Sequence, residues 1–194
     1  MEKARIAVLV SGGGTNLQAL LDAERSGVLH SGEIVLVVSN NPKAYALERA
    51  AGAGIESVIM TGPDFENRLR SLLQESKIDL IILAGFMRIL SEEFTAEWPN
   101  RILNVHPSLI PAFCGKGYYG LRVHEEALRR GVKVTGATVH FVNEIPDGGE
   151  ILLQKAVEVL PSDTPETLQR RVMEQAEWIL LPQAAEQVSK GVIS

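Results

Sequence analysis

The chain contains one cysteine, Cys114, among 194 residues. An intramolecular disulfide needs two thiols, and a structural zinc site built on thiolates needs a cluster of them, so the sequence excludes both. Disulfide frameworks are the usual mark of small secreted proteins, and none can form here. We therefore expect a cytoplasmic protein.

Long apolar runs and an excess of basic residues are also missing. The N-terminus leads into an apolar run of only five residues, Ile6–Val10, which is too short for a signal-peptide core or a membrane span. The formal charge is −5, and the short basic pairs never become the stripe on which nucleic-acid binding depends. We expect no membrane or nucleic-acid partner, although a small anion can still bind locally.

The chain has a repeating pattern in which short apolar runs alternate with segments whose apolar residues have helical spacing. Nearly continuous apolar runs are typical of strands buried on both faces, and their alternation with helices predicts a parallel sheet. The length and the 45% hydrophobic fraction suit one globular domain. We predict an α/β fold of three layers, with a mostly parallel twisted sheet and helices on both faces. The predicted strands are Ile6–Val10, Ile34–Val38, Ser57–Met60, Leu80–Leu83 and Ile102–Val105.

The alternation of predicted strands and helices ends after residue 110. A stretch rich in glycine and aromatic residues, Pro111 to Leu121, precedes a short predicted helix at His124–Arg130. Two further strands are predicted near Thr135–Val142 and Ile151–Val159, where they could form a hairpin. A final helix should begin at Asp163 or Thr164 as the cap, with Pro165 in its first turn. Its predicted apolar stripe is Leu168, Val172, Ala176, Ile179 and Leu180.

A glycine loop follows the first predicted strand. Ser11-Gly-Gly-Gly-Thr-Asn16 leads directly into a helix, so backbone N–H groups and the helix dipole should converge on an anion. Ser11, Thr15 and Asn16 offer side-chain donors or a helix cap. A dinucleotide fingerprint would need glycine at Leu17, and a Walker A loop would need Gly-Lys-Ser/Thr, so one phosphate fits better than either ligand. A tight turn without a ligand is the alternative.

Asn104 and His106 occur near the end of the fifth predicted strand. Strand side chains alternate, so both should project from one face, at the edge where parallel sheets bind ligands. In acyl or formyl transfer to an amine, an amide N–H and a protonated imidazole would stabilise the oxyanion, and the imidazole would also carry a proton. Asp147, in a turn-like segment, is the candidate carboxylate for orienting His106. Alternatively, Asn104 and His106 are satisfied polar residues at a strand end and Asp147 is an ordinary turn acid.

Four segments resemble the phosphoribosylglycinamide formyltransferases, and the resemblance covers essentially the whole chain. They are Ser11-Gly-Gly-Gly-Thr-Asn-Leu-Gln-Ala-Leu20, Leu83-Ala-Gly-Phe-Met-Arg-Ile-Leu90, Leu103-Asn-Val-His-Pro-Ser-Leu-Ile-Pro111 and Asp147-Gly-Gly149. The resemblance implies a single formyltransferase domain over residues 1–194, with a Rossmann-like phosphate-binding half at 1–110. The remaining 111–194 would carry the folate-site loops, the hairpin and the C-terminal helix.

The same resemblance implies an activity and a set of site residues. The formyl group of 10-formyltetrahydrofolate would pass to the amine of glycinamide ribonucleotide in purine (IMP) biosynthesis, without a metal, in a monomer or a homodimer. Asn104 would hold the oxyanion, His106 would shuttle protons and Asp147 would orient His106. The ribonucleotide would contact Gly12, Gly13, Gly14, Thr15, Asn16 and Glu177. The folate would contact Arg68, Met87, Arg88, Ile89, Leu90, Asn104, Asn143, Glu144, Ile145, Pro146 and Asp147.

The chain departs from the family pattern in two places. The spacing from Arg171 to Glu177 is one residue longer, and Trp178 follows where a histidine is usual. The loop from Pro111 to Leu121 is also longer, and Arg122 replaces the first histidine of Gly-x-His-x-His while His124 keeps the second. We assign that loop no catalytic role, and we interpret His124 and His140 as structural or supporting residues.

Two alternative functions share most of these residues. A formyltetrahydrofolate hydrolase would use the same Asn104, His106 and Asp147 but would give the formyl group to water. That family usually carries an N-terminal regulatory domain, which we do not expect because the first strand begins at once. A non-catalytic folate- or nucleotide-binding protein on the same fold is the second alternative.

Overall fold

The computed structural model describes residues 2–192, and its centre is one seven-stranded sheet. The strand order is β3-β2-β1-β4-β5-β6-β7. The first five strands run parallel, whereas β6 pairs antiparallel with β5 and with β7. The predicted α/β fold with a mostly parallel sheet and a terminal hairpin is confirmed. The strands are β1 (Ala4–Val10), β2 (Gly32–Ser39), β3 (Glu56–Ile59), β4 (Leu80–Leu83), β5 (Ile102–His106), β6 (Val134–Phe141) and β7 (Ile151–Glu158).

Helices cover both faces of the sheet, and the sheet separates two hydrophobic cores. Along β1, Ile6 and Val8 pack on one face while Ala7 and Leu9 pack on the other, as the two-residue period of a strand requires. The helices are α1 (Thr15–Ser26), α2 (Ala46–Gly52), α3 (Phe65–Glu75), α4 (Glu92–Ala96), α5 (Leu121–Arg130), α6 (Pro165–Val172) and α7 (Trp178–Val192). Residues of α3 and α4 belong to one core, and those of α1, α5, α6 and α7 belong to the other. None of the helices within residues 2–192 is long and apolar enough to cross a membrane.

One predicted strand is less buried than its sequence indicated. We predicted that Ser57–Met60 is covered on both faces, but Glu56, Ser57 and Ile59 of β3 are exposed. The strand lies at the edge of the sheet and pairs only with β2. An edge strand is covered less fully than a central one, and apolar composition alone does not distinguish the two.

The C-terminal helical region begins as predicted and then departs from a regular α-helix. Thr164 caps α6 with a capping box, and Pro165 is its first residue. Residues Met173–Glu177 then form one π-helical turn before α7 starts. Leu168, Val172, Ala176 and Leu180 are buried as predicted, but Ile179 is 37% exposed, so its place in the stripe was wrong. A π turn changes the angular register of the residues that follow it, and this explains the shift.

Candidate active site

The candidate site lies at the carboxyl ends of β1, β4 and β5. β1 lies between β2 and β4, so the chain order switches direction there, which is where open α/β sheets bind ligands. A cavity of about 630 Å³ opens at this edge. Its walls combine the glycine loop after β1, the segment after β4, the end of β5, the long loop before α5, the turn holding Asp147 and the π turn. They include Gly12 to Asn16, Met87 to Ile89, Asn104, His106, His124, Pro146, Asp147, Gln169, Met173 and Glu177.

The glycine loop leaves the start of α1 open. Gly14 occupies the N-cap position with φ 72°, and no side chain caps the helix. Ser11, predicted as a donor or cap, instead donates its hydroxyl to Asn40 Oδ1 at 2.7 Å and accepts the Met87 N–H at 2.8 Å. It therefore ties the glycine loop to the segment after β4. The first turn of α1 faces the cavity with its N–H groups and the positive end of its dipole, which is the arrangement that anions favour.

Asn104, His106 and Asp147 meet at the end of β5. Nδ1 of His106 lies 3.4 Å from Oδ2 of Asp147, and Nδ2 of Asn104 lies 3.4 Å from Oδ1 of the same carboxylate. Asp147 reaches both from the turn after β6, with φ 56°. The structure thus brings the three predicted residues together. The Asn104 hydrogen bond is at the long end of the normal range, so it can yield to a better-placed partner, whereas the His106 contact is an ion pair only when the ring is protonated.

The long loop before α5 contributes two main-chain contacts to this group. Nε2 of His106 lies 2.8 Å from the carbonyl oxygen of Phe113, and the Gly115 N–H donates to Asp147 Oδ2 at 2.9 Å. A carbonyl only accepts, so Nε2 of His106 carries a proton in this arrangement. We assigned this loop no catalytic role, and its contacts with His106 and Asp147 are made by its main chain. Phe113 adopts φ 49°, a conformation that its residue type does not predict.

His140 supports the same group from β6. Its Nδ1 lies 2.8 Å from the carbonyl oxygen of Phe141, which fixes the proton on Nδ1 in the neutral ring. Nε2 is then an acceptor, and it lies 3.1 Å from Nδ2 of Asn104. His140 thus holds the Asn104 amide in one orientation. Our interpretation of His140 as a supporting residue agrees with these contacts.

Electrostatics leave this group with an ionised carboxylate and a neutral imidazole at neutral pH. Burial lowers the pKa of His106, and this effect outweighs the opposing effects of the Asp147 charge and the Phe113 carbonyl. Burial also tends to raise the pKa of Asp147, but the adjacent His140 ring, the charge of His106 and the Gly115 N–H bring it below its usual value. A neutral imidazole beside a carboxylate is a proton acceptor whose charged form is stabilised once made.

Glu177 of the π turn and Asn16 of α1 meet in the wall of the same cavity. Asn16 Nδ2 donates to Glu177 Oε2 at 2.9 Å, and both side chains are buried. Burial raises the pKa of Glu177 to about 7, although the Asn16 hydrogen bond acts in the other direction. Oδ1 of Asn16 has no partner within the described residues. The π turn therefore brings a carboxyl group with a pKa near neutral pH next to the glycine loop.

The predicted folate residues divide into two sets. Met87, Arg88, Ile89, Asn104, Pro146 and Asp147 line the cavity. The remaining predicted contacts, Arg68, Leu90, Asn143, Glu144 and Ile145, lie outside its walls. The guanidinium of Arg68 instead donates to the Thr61 carbonyl at 3.3 Å, and Arg88 binds the adjacent Gly62 carbonyl at 3.0 Å. Both guanidinium groups are therefore held by main-chain carbonyls of the 61–62 segment.

His124 has an environment that its position in the sequence does not reveal. It lies in α5, is fully buried, forms part of the cavity wall, and neither ring nitrogen has a partner within residues 2–192. Burial, with a smaller effect from His106, lowers its pKa to about 4. Arg122, which replaces the other histidine of the family pattern, is exposed and lies outside the cavity walls. His124 is therefore a neutral polar residue in the wall beside His106.

Comparison with known proteins finds one family and several relatives that cover most of the chain. The family described as formyl transferase matches residues 4–184. The trifunctional purine biosynthetic protein adenosine-3 of Drosophila melanogaster is 45% identical over 184 residues, and the match covers 91% of this chain but 13% of that protein. The phosphoribosylglycinamide formyltransferase of Haemophilus influenzae is 41% identical over 193 residues, covering 96% of this chain and 88% of the relative. The crystal structure of glycinamide ribonucleotide transformylase 1 from Symbiobacterium toebii matches with TM-score 0.90 and 44% identity, covering 97% of this chain and 89% of that one.

Proposed function

Since this chain belongs to the formyl transferase family, we propose that it transfers the formyl group of 10-formyltetrahydrofolate to the amine of glycinamide ribonucleotide. The products would be formylglycinamide ribonucleotide and tetrahydrofolate, in purine biosynthesis. The observation that carries the proposal is that Asn104, His106 and Asp147 share one cavity with an uncapped glycine loop. Relatives named for this activity, one of them matched over 88% of its length, support the choice of acceptor.

The glycine loop is the proposed phosphate site. Gly12, Gly13 and Gly14, with Thr15 and Asn16, would surround the phosphate with main-chain N–H groups at the positive end of α1. Glu177 would contact the ribonucleotide from the π turn, since its carboxyl group faces Asn16 across the loop. Residues 1–110 would thus form the phosphate-binding half of a single domain. Residues 111–194 would carry the folate-site loops, the hairpin and the C-terminal helix.

The folate site is proposed on the other side of the Asn104 and His106 pair. Met87, Arg88 and Ile89 line the cavity after β4, while Pro146 and Asp147 line it from the turn after β6. Leu90, Asn143, Glu144 and Ile145 adjoin these segments in sequence and would border the folate if the loops close on it. Arg68 would act at the outer end, beside Arg88.

The reaction is a nucleophilic attack by the acceptor amine on the formyl carbon. A C–N bond forms, and the carbonyl oxygen becomes an oxyanion. Nδ2 of Asn104 holds one hydrogen toward His140 and the other weakly toward Asp147 at 3.4 Å, so the second can turn to the oxyanion. The amine proton passes to neutral His106, and the imidazolium is stabilised by Asp147. Protonation of N10 then releases tetrahydrofolate as the C–N10 bond breaks.

Steady-state turnover with and without the acceptor tests the proposal. Loss of 10-formyltetrahydrofolate, followed by absorbance, should require glycinamide ribonucleotide. Equal rates without it would identify a hydrolase. Binding of both ligands without any turnover would identify a non-catalytic binding protein, and either of these results would overturn the proposed transfer.

A further inference from the structure

Helix α2 is bonded to the glycine loop through two loop carbonyls. The Ala46 N–H donates to the Gly12 carbonyl at 3.1 Å, and Nε of Arg49 donates to the Gly13 carbonyl at 2.8 Å. Gly14 packs directly against this helix, because a Cβ on Gly14 would lie 2.6 Å from Cβ of Ala46. The loop conformation therefore depends on α2, a helix that lies about 30 residues further along the chain.

These two bonds set the direction of the loop's N–H groups. In a trans peptide unit the C=O of one residue and the N–H of the next point in opposite directions. The Gly13 carbonyl points to Arg49, so the Gly14 N–H points away from α2. The Gly12 carbonyl and the Gly13 N–H are related in the same way through Ala46. Gly13 and Gly14 both line the cavity, so α2 turns their donors toward a ligand there.

Arg49 also brings a positive charge without a carboxylate partner. Its Nη1 donates to Gln18 Oε1 at 2.9 Å, and its guanidinium carbon lies 5.1 Å from the centre of the Tyr45 ring. These are neutral partners, and no ion pair of Arg49 is found within residues 2–192. Arg49 as a residue is half-buried against the loop, so its charge is screened less than that of a fully exposed arginine.

We propose that Arg49 is a positioning residue that makes the glycine loop selective for a phosphomonoester dianion. It fixes the Gly13–Gly14 peptide so that the Gly14 N–H faces the phosphate, and it adds uncompensated positive charge behind the loop. The ligand is the 5′-phosphate of the acceptor, so this inference rests on the proposed function. Arg49 lies behind the loop, and its role is exerted through Gly13.

Calorimetric titration separates this role from catalysis and from general stability. Glycinamide ribonucleotide and the same compound without its 5′-phosphate are titrated into the wild type, Arg49→Met and Arg49→Lys. Arg49→Met should weaken binding of the phosphorylated ligand roughly 10- to 100-fold, the range for losing a hydrogen bond that involves a charged group. Binding of the dephosphorylated ligand should change little. Arg49→Lys keeps the charge and should retain part of the preference.

Arg25→Met is the matched control, because Arg25 is an exposed arginine at the far end of α1, paired with Asp22. It should leave the preference for phosphate unchanged, and thermal unfolding of all variants verifies that they fold. An unchanged preference in Arg49→Met, or equal weakening of both ligands, would overturn the inference. If Arg49→Met does not fold, the same criteria apply to Arg49→Gln. Since binding is measured without turnover, a wild type that binds the phosphorylated ligand but transfers no formyl group would contradict the proposed function alone.

Discussion

Nδ1 of His106 and Oδ2 of Asp147 lie 3.4 Å apart, with the imidazole held on its other side by the carbonyl of Phe113. The ring is therefore flanked by two acceptors. Both stabilise the imidazolium, while burial of the side chain favours the neutral ring. This balance suits a group that must accept a proton from an amine and return it to a leaving nitrogen.

Replacing His106 with alanine should abolish proton transfer and leave phosphate binding intact. General acid–base groups typically contribute about 10²- to 10⁴-fold in rate, so kcat should fall within that range. Calorimetric affinity for glycinamide ribonucleotide should stay close to wild type because the glycine loop is untouched. Unchanged turnover would remove His106 from the mechanism.

Asp147→Asn should lower both the rate and the pKa of His106. The carboxylate charge raises that pKa, so its removal shifts the acid limb of the kcat/KM profile to lower pH. The rate at neutral pH should fall roughly tenfold or more, because the imidazolium loses its partner in the transition state. A pH profile measured on both proteins checks the shift. An acid limb that stays in place, or moves to higher pH, would contradict the assigned electrostatic role.

Glu177→Gln should raise the KM for glycinamide ribonucleotide and leave the KM for the folate unchanged. Loss of a charged hydrogen-bond acceptor typically costs about 1.5–3 kcal/mol, so the rise should be roughly tenfold or greater. The same change should stabilise the free protein above pH 7. Burial raises the pKa of Glu177 from 4.5 to about 7, so the stability of the wild type falls as the pH rises between these values, and the loss is complete above pH 7. Equal KM values in both proteins would place Glu177 outside the ribonucleotide site.

His124 should make the protein acid-sensitive. Its pKa is about 4 in the folded state against an ordinary value of 6.5, so between these values the unfolded chain binds a proton that the folded chain does not. Stability from this residue is thus complete above pH 6.5 and falls as the pH drops toward 4, by on the order of 3 kcal/mol. Urea unfolding at pH 4.5 and 7.5 gives the change in unfolding free energy between the two pH values. This change should be larger for wild type than for His124→Phe. A pH dependence unaltered in the variant would contradict the assignment.

Much of the site can be predicted from the sequence, because several of its residues lie in short segments whose pattern is visible in the chain. The two-residue period of β5 predicts that Asn104 and His106 share a face, and the parallel sheet predicts which edge they occupy. The glycine loop is visible for the same reason, since a strand, three glycines and a helix are adjacent in the chain. Asp147 was a candidate by its turn context, but only the folded chain brings it to His106.

The parts that sequence reasoning missed depend on main-chain geometry or on distant packing. The Phe113 carbonyl and the Gly115 N–H contact His106 and Asp147, yet neither contact involves a side chain that a motif could specify. The π turn that moves Ile179 out of the buried stripe is likewise a backbone feature. Arg49 supports the glycine loop from another helix, and nothing in its own neighbourhood indicates that role.

Transfer of an isotopically labelled formyl group shows directly whether the protein moves the formyl group from folate to glycinamide ribonucleotide. The protein, in excess, would be mixed with 10-formyltetrahydrofolate carrying ¹³C in the formyl group and with glycinamide ribonucleotide, and the products would be identified by mass after one turnover. We predict that the label appears in formylglycinamide ribonucleotide, one for each tetrahydrofolate released. Label recovered as formate, or left on the folate, would contradict it.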